Sequence, residues 1–71
     1  MRASERTIDR SSLLTSREAE ILRLAADGMS DPEIARRLAL GVPTVRRHVG
    51  NAVLKLGVPT RTAAVAAVVR A

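Results

Sequence analysis

A chain of 71 residues with a formal net charge of +5 has room for one small domain. It contains no cysteine, which excludes disulfides, thiol catalysis and zinc-knuckle sites. It contains no Phe, Trp or Tyr either, so it lacks the aromatic side chains on which RNA-recognition and OB-type modules stack single-stranded bases.

Residues 1–12 mix charges of both signs with little apolar periodicity, and they are expected to form a flexible lead or linker. They lack the apolar segment of a signal peptide, and the longest apolar stretch, residues 63–69, is too short to cross a membrane. We therefore expect a cytoplasmic protein without a membrane partner. Residues 13–71 are expected to form an all-α domain of four helices.

Two capping boxes predict the starts of the first two helices. In each box a hydroxyl side chain and a Glu three residues later can bind each other's backbone N–H, as the spacing of Thr15 with Glu18 and of Ser30 with Glu33 allows. Gly28 is placed to end the first helix.

A tight turn at residues 40–42 separates the second helix from a third, which Pro43 begins and which ends before Gly57. Thr60 is expected to cap a fourth helix that continues through Val69. The second helix, the turn and the third helix form a helix-turn-helix arrangement. Its third helix, residues 43–56, fits the major groove of DNA.

Charge divides the chain into two unequal parts. All seven acidic residues lie within residues 1–33, whereas residues 34–71 carry seven Arg and Lys side chains and no carboxylate. A basic field on one helix of a small domain is typical of nucleic-acid binding. Duplex DNA is the favoured polyanion because it needs no aromatic platform.

The sequence also resembles a known family over residues 14–69. The matching residues are Leu14-Thr15-x-Arg17-Glu18-x-Glu20-Ile21-Leu22, Gly28-x-Ser30, Glu33-Ile34-Ala35, Thr44-Val45-Arg46-x-His48, Asn51, and Lys55-Leu56-Gly57-Val58-x-x-Arg61. They are similar to the LuxR/GerE-type DNA-binding domain, the four-helix effector domain of many quorum-sensing regulators and NarL-type response regulators. The resemblance implies a bacterial transcription regulator that binds DNA as a dimer.

One face of the third helix should meet the core, through Val45, Val49, Ala52 and Leu56. The opposite face carries the candidate base contacts, Arg46, Arg47, Gly50 and Asn51. A guanidinium can donate two hydrogen bonds to guanine O6 and N7, and an amide can bind adenine or a phosphate. Gly50 departs from the family, which often has a long polar side chain there. Either the backbone approaches DNA closely at this point, or the domain reads fewer bases than its relatives.

Candidate phosphate contacts lie near helix ends, at Ser30, Thr44, Lys55 and Arg61. Capping alone also explains Ser30, and Arg61 could instead pair internally with Glu18 or Glu20. His48 is expected to pack or to border a phosphate. Gly41 departs from the family's usual Ser. The sequence holds no metal-ligand cluster, nucleotide-binding loop or nucleophile–base pair, so we expect no metal, no cofactor and no enzymatic activity.

The fourth predicted helix is apolar on every side, and one face of it is left over after packing on its own core. We expect a homodimer through this helix, with an interface formed by Ala63, Val65, Ala66 and Val69. A two-fold dimer predicts an inverted-repeat operator with half-sites about 10 bp apart. RNA polymerase is a further candidate partner.

Two other functions compete with this interpretation. A helical protein-interaction module that uses residues 60–69 would explain the Ala/Val run but leaves the acid-free half without a purpose. A sigma-factor region 4 domain shares the helix-turn-helix and binds promoter DNA and polymerase, but the ending Lys55-Leu56-Gly57-Val58 favours the LuxR/GerE type. Because no receiver or ligand-binding domain fits in this length, we expect the C-terminal piece of a longer response regulator or quorum-sensing-type regulator.

Overall fold

The computed structural model describes residues 13–70, which form four helices: α1 (Ser16–Ala26), α2 (Asp31–Leu38), α3 (Val42–Leu56) and α4 (Arg61–Arg70). This confirms the expected all-α fold. The predicted flexible lead at residues 1–12 lies outside the described residues, as does Ala71. Within residues 13–70 no single helix is long and apolar enough to span a membrane, although α3 and α4 together, bent by 71° at the break between them, reach the necessary length and composition.

The helix starts follow the predicted local hydrogen bonds. Thr15 Oγ1 accepts the Glu18 N–H at 3.1 Å, and Glu18 Oε1 accepts the Thr15 N–H at 3.0 Å. Ser30 and Glu33 form the same reciprocal pair at 3.3 Å and 2.8 Å. Thr60 Oγ1 caps α4 by accepting a backbone N–H at 3.1 Å. Each cap stabilises its helix by about 1 kcal/mol relative to alanine.

The core contains side chains from all four helices. α1 packs against α3 and α4, while α2 packs mainly against α3. The largest fully buried side chains are Ile21, Leu22, Ile34, Val45 and Leu56. Each contributes about 1.5–3 kcal/mol through removal of its apolar surface from water. This packing fixes α3 along one side and leaves its other side open.

The turn between α2 and α3 is made by backbone groups. Ala39 ends α2 in the left-handed conformation, with φ 57°, and the Leu40 N–H donates to the Ala35 carbonyl at 2.8 Å. Gly41 precedes α3 without a side-chain cap. Its carbonyl accepts the N–H groups of the first turn at 3.1 Å, so α3 begins at Val42.

One predicted helix start was wrong by one residue. α3 begins one residue before Pro43 because the Gly41 carbonyl closes its first turn. α4 continues through Val69, as predicted, and ends at Arg70. The shift at the start of α3 does not change which of its side chains face the core.

Candidate nucleic-acid interface

The two faces of α3 differ as the sequence predicts. The four predicted core residues, Val45, Val49, Ala52 and Leu56, are all buried. The four candidate base contacts, Arg46, Arg47, Gly50 and Asn51, are all exposed. Leu54 lies on the same open face with 79% of its surface accessible. The helix therefore presents two guanidinium groups, an amide and one apolar side chain to a partner outside the domain.

Gly50 leaves an opening in the middle of this face. A Cβ placed on Gly50 would have no atom of the domain within 4 Å among the described residues. The glycine is therefore not required by packing, although a glycine inside a helix costs about 0.5–1 kcal/mol relative to alanine.

A carboxylate from α2 reaches the edge of the basic face. The Arg46 Nε–H donates to Asp31 Oδ2 at 3.4 Å, and Arg61 Nη1 lies 2.8 Å from Asp31 Oδ1. The Asp31 side chain is only 13% exposed, while that of Arg46 is 67% exposed. The contact with Arg61 is a close ion pair without hydrogen-bond alignment. One carboxylate therefore joins the starts of α2, α3 and α4.

The internal pair considered for Arg61 exists, but the predicted partners were wrong. Arg61 pairs with Asp31 and not with Glu18 or Glu20. Glu20 pairs with Arg17 within α1 instead, at 3.5 Å between exposed groups. The role of Asp31 was missed, since Arg46 lies 15 residues away and no local spacing marks the contact.

Lys55 has an internal partner that the sequence did not predict. Its Nζ donates to both carboxylate oxygens of Glu18, at 2.8 Å and 3.1 Å. Glu18 is buried, and Lys55 is 39% exposed at the side chain. The pair joins the last turn of α3 to the first turn of α1, and phosphate contact by Lys55 stays a prediction.

Two carboxylates have lowered pKa values. Burial alone would raise the pKa of Glu18, but the bonds from Lys55 and Thr15 outweigh it and hold the pKa below its ordinary value of 4.5. The pKa of Glu33 is lowered chiefly by the backbone N–H of Ser30 that completes its capping box. Both carboxylates are thus stabilised in the charged form.

The other two predicted phosphate contacts, Ser30 and Thr44, and His48 differ in exposure and in hydrogen bonding. Ser30 is exposed, but its hydroxyl is engaged in the cap of α2. Thr44 is half-buried in the first turn of α3. His48 is also half-buried, and its Nδ1 is inaccessible and has no hydrogen-bond partner among residues 13–70. Across the same residues no three His, Cys, Asp or Glu side chains are grouped as metal ligands would be.

α4 uses one face to close the core. Ala64 and Val68 are buried, whereas Ala63, Val65 and Ala66 are half-buried and Val69 is 62% exposed. Near the end of α4, Val68 and Val69 line a shallow depression with Arg23, Ala26 and Asp27 of α1 and its C-terminus. The four predicted interface residues thus retain accessible apolar surface.

Comparison with known proteins assigns this arrangement to a family. The model of the family described as bacterial regulatory proteins, luxR family, matches residues 12–68. The chain belongs to the luxR family of bacterial regulatory proteins. Like other members it is a DNA-binding, helix-turn-helix domain of a transcription regulator. The family membership favours neither the interaction module nor the sigma-factor domain considered above.

Individual relatives agree with this assignment. The chain is 43% identical over 58 residues to the spore germination protein GerE of Bacillus subtilis strain 168, covering 82% of this chain and 78% of that protein. It is 49% identical over 53 residues to the response regulator protein VraR of Staphylococcus aureus strain Mu3, covering 75% of this chain. It spans only 25% of the length of VraR.

The fold is also similar to a solved structure. A structure of the transcription factor GerE superposes with a TM-score of 0.77 at 40% sequence identity. The similarity covers 82% of this chain and 87% of the GerE chain.

Proposed function

We propose that this domain recognises an inverted-repeat DNA operator in the bacterial cytoplasm, with α3 of each protomer in the major groove. The observation that carries the proposal is the division of α3 into a buried apolar face and an open face with Arg46, Arg47 and Asn51. A major groove admits a helix of this kind, and bidentate contacts from its arginines favour guanine.

The electrostatics support a polyanionic partner. Neither α3 nor α4 carries a carboxylate of its own, and Asp31 is the one acidic side chain in contact with the basic residues of the open face within residues 13–70. Phosphate contacts from Ser30, Thr44, Lys55 and Arg61 would position the helix, while base contacts from Arg46, Arg47, Gly50 and Asn51 would select the sequence. Of these, Lys55 and Arg61 would have to bind phosphate in addition to their internal partners, Glu18 and Asp31.

Dimerisation through α4 is the second part of the proposal. It is supported by the accessible apolar surface of Ala63, Val65, Ala66 and Val69 on a helix whose opposite face closes the core. Small side chains allow close approach of a symmetry-related helix, and an isologous two-fold contact would place two copies of α3 on one side of the duplex.

For the whole regulator we propose that this domain is the C-terminal effector part of a longer response regulator, with RNA polymerase as a further partner. The match to one quarter of VraR supports this arrangement, while the match to most of GerE supports a short regulator. The mass of the native protein in cells separates the two, because a product near 7.6 kDa would contradict the longer form. In vitro transcription from a selected operator, with and without the protein, tests the effect on polymerase.

The deciding experiment is selection from a randomised duplex pool, followed by fluorescence anisotropy from low to moderate salt. We expect enrichment of an inverted repeat and an affinity that falls steeply with salt, since each phosphate contact releases a counterion. Arg46→Ala should weaken specific binding by about 1–3 kcal/mol and relax the preference at one base pair. Arg23→Ala, which removes the same charge from α1, is the matched control. Equal losses on selected and random duplex would reduce Arg46 to a phosphate contact, and no binding at low salt would refute DNA recognition by this chain.

A further inference from the structure

We propose that Asp31 is a positioning residue that orients Arg46 for base recognition. Asp31 is the first residue of α2 and its carboxylate is largely shielded from water. One of its oxygens receives the Arg46 Nε–H at 3.4 Å, and the other lies 2.8 Å from Arg61 Nη1. The inference rests on the proposed base contact of Arg46 and adds a partner that prepares it.

The atom of Arg46 that is engaged decides the consequence. A guanidinium has five N–H donors in a planar fork, with the Nε–H on a side edge and one N–H from each terminal nitrogen on the end edge. Because Asp31 contacts Nε, the two terminal nitrogens stay available for the two acceptors of a guanine. A contact at Nη1 or Nη2 would instead compete with the base.

Arg61 fixes the carboxylate from its other side. Its ion pair holds Asp31 Oδ1 in a position without measurable solvent access, and this leaves Oδ2 as the oxygen that faces Arg46. The first residue of α4 thereby supports a side chain of α3 through a carboxylate of α2. In this arrangement Arg61 acts on recognition without touching a base.

The orientation of Arg46 and the negative charge of Asp31 should both raise sequence specificity. A long side chain that is 67% exposed loses rotational freedom when it binds a base, and prior anchoring at Nε reduces that loss. The negative charge of Asp31 also lowers attraction to phosphate in general, which weakens binding to random sequence. Asp31 should therefore raise the ratio of specific to non-specific affinity.

The test compares Asp31→Asn with Asp27→Asn by anisotropy on the selected duplex, on a duplex altered at the base pair read by Arg46, and on random duplex. Both variants lose one negative charge, but Asp27 lies at the C-terminus of α1, away from the contacts of Arg46. We expect D31N to lose about fivefold in discrimination at that base pair, the lower end of what a bidentate pair supplies. We expect D27N to leave the discrimination unchanged. The double variant D31N/R46A should discriminate as poorly as R46A alone, because Asp31 acts only through Arg46.

The outcomes separate this inference from the function on which it rests. Wild-type protein that enriches no sequence would overturn both. Selective wild-type binding with unchanged discrimination in D31N, or with equal changes in D31N and D27N, would overturn the positioning role alone. A second readout needs no DNA: the Arg46 Nε–H resonance in ¹⁵N-labelled protein should move in D31N and stay in place in D27N. An unmoved resonance in D31N would also overturn the proposal.

Discussion

Lys55 Nζ lies 2.8 Å from Glu18 Oε1, and this ion pair connects residues 37 positions apart in the chain. Glu18 also completes the capping box of α1, so one buried carboxylate serves a local and a long-range purpose. The last turn of α3, the helix proposed to enter the major groove, is thereby attached to the start of α1.

Acidification should weaken the fold through Glu18. Because its pKa is lowered in the folded chain, the carboxylate gives its full stabilisation above the ordinary value of 4.5 and loses it as the pH falls through the folded pKa. We expect the free energy of unfolding to decline in the acid range and Glu18→Gln to reduce that decline. Denaturant unfolding followed by far-UV circular dichroism measures this, with Glu20→Gln as the control. If the free energy of unfolding of Glu18→Gln declined at acid pH as steeply as that of the wild type, the prediction would be contradicted.

Replacing Lys55 tests the same pair from its other side. Lys55→Met keeps the length of the side chain but leaves Glu18 with its Thr15 partner only. We expect a loss of about 1–2 kcal/mol in the free energy of unfolding, since a buried carboxylate would lose a charged donor, and partial exposure of Lys55 screens the pair. Arg70→Met, at the exposed end of α4, should change stability little. Equal stability of the Lys55 and Arg70 variants would show that the pair is neutral.

A substitution at Gly50 should affect the stability of the domain and its affinity for DNA in opposite directions. Gly50→Ala should raise the free energy of unfolding by about 0.5–1 kcal/mol, because a helix prefers alanine and the new methyl group meets no atom of the domain. If DNA approaches the backbone here, as the assignment of Gly50 to the base-contacting set requires, the same variant should bind the selected duplex more weakly. A more stable variant with unchanged affinity would mean that the position simply lacks a side chain that reads a base.

Val69→Asp should disrupt the proposed dimer without unfolding the domain. Val69 is 62% exposed, whereas Val65 is half-buried against the core, so Val69 is the cleaner site for a charge. We expect the footprint on an inverted repeat to shrink to one half-site and the salt dependence to become shallower. Leu13→Asp places the same charge at an apolar residue that is 52% exposed outside α4. A full-length footprint in Val69→Asp would remove α4 from the interface.

Two C-terminal caps give a matched pair of backbone variants. Ala39 and Gly57 both end their helices with positive φ, at 57° and 66°. Gly57→Ala should cost about 1 kcal/mol because it introduces a Cβ in the left-handed region, and Ala39→Gly should gain about 0.5–1 kcal/mol by removing one. Thermal unfolding measures both. Changes of the same sign in the two variants would contradict this account.

The sequence predicted those features that depend on neighbours in the chain. The Thr15–Glu18 and Ser30–Glu33 caps join residues three apart, so their spacing was sufficient. The buried face of α3 followed from helical periodicity alone.

The partners of long side chains required the packed structure. The sequence offers Arg61 two acidic partners in α1, but the start of α4 lies near the start of α2, where Asp31 is within reach. The contact between Lys55 and Glu18 depends in the same way on how α3 crosses α1. Which helix ends meet is a property of tertiary packing, and it leaves no mark in local spacing.

The turn that joins α2 to α3 is held by the carbonyls of Ala35 and Gly41 and by the conformation of Ala39, without a side-chain cap on α3. Main-chain groups are common to nearly all amino acids, so these hydrogen bonds do not depend on the exposed side chains of α3. Exposed positions such as Arg47 and Asn51 can then be exchanged while the aim of the helix stays constant. A scaffold of this kind can acquire a new operator by changing a few surface residues, with its geometry inherited intact.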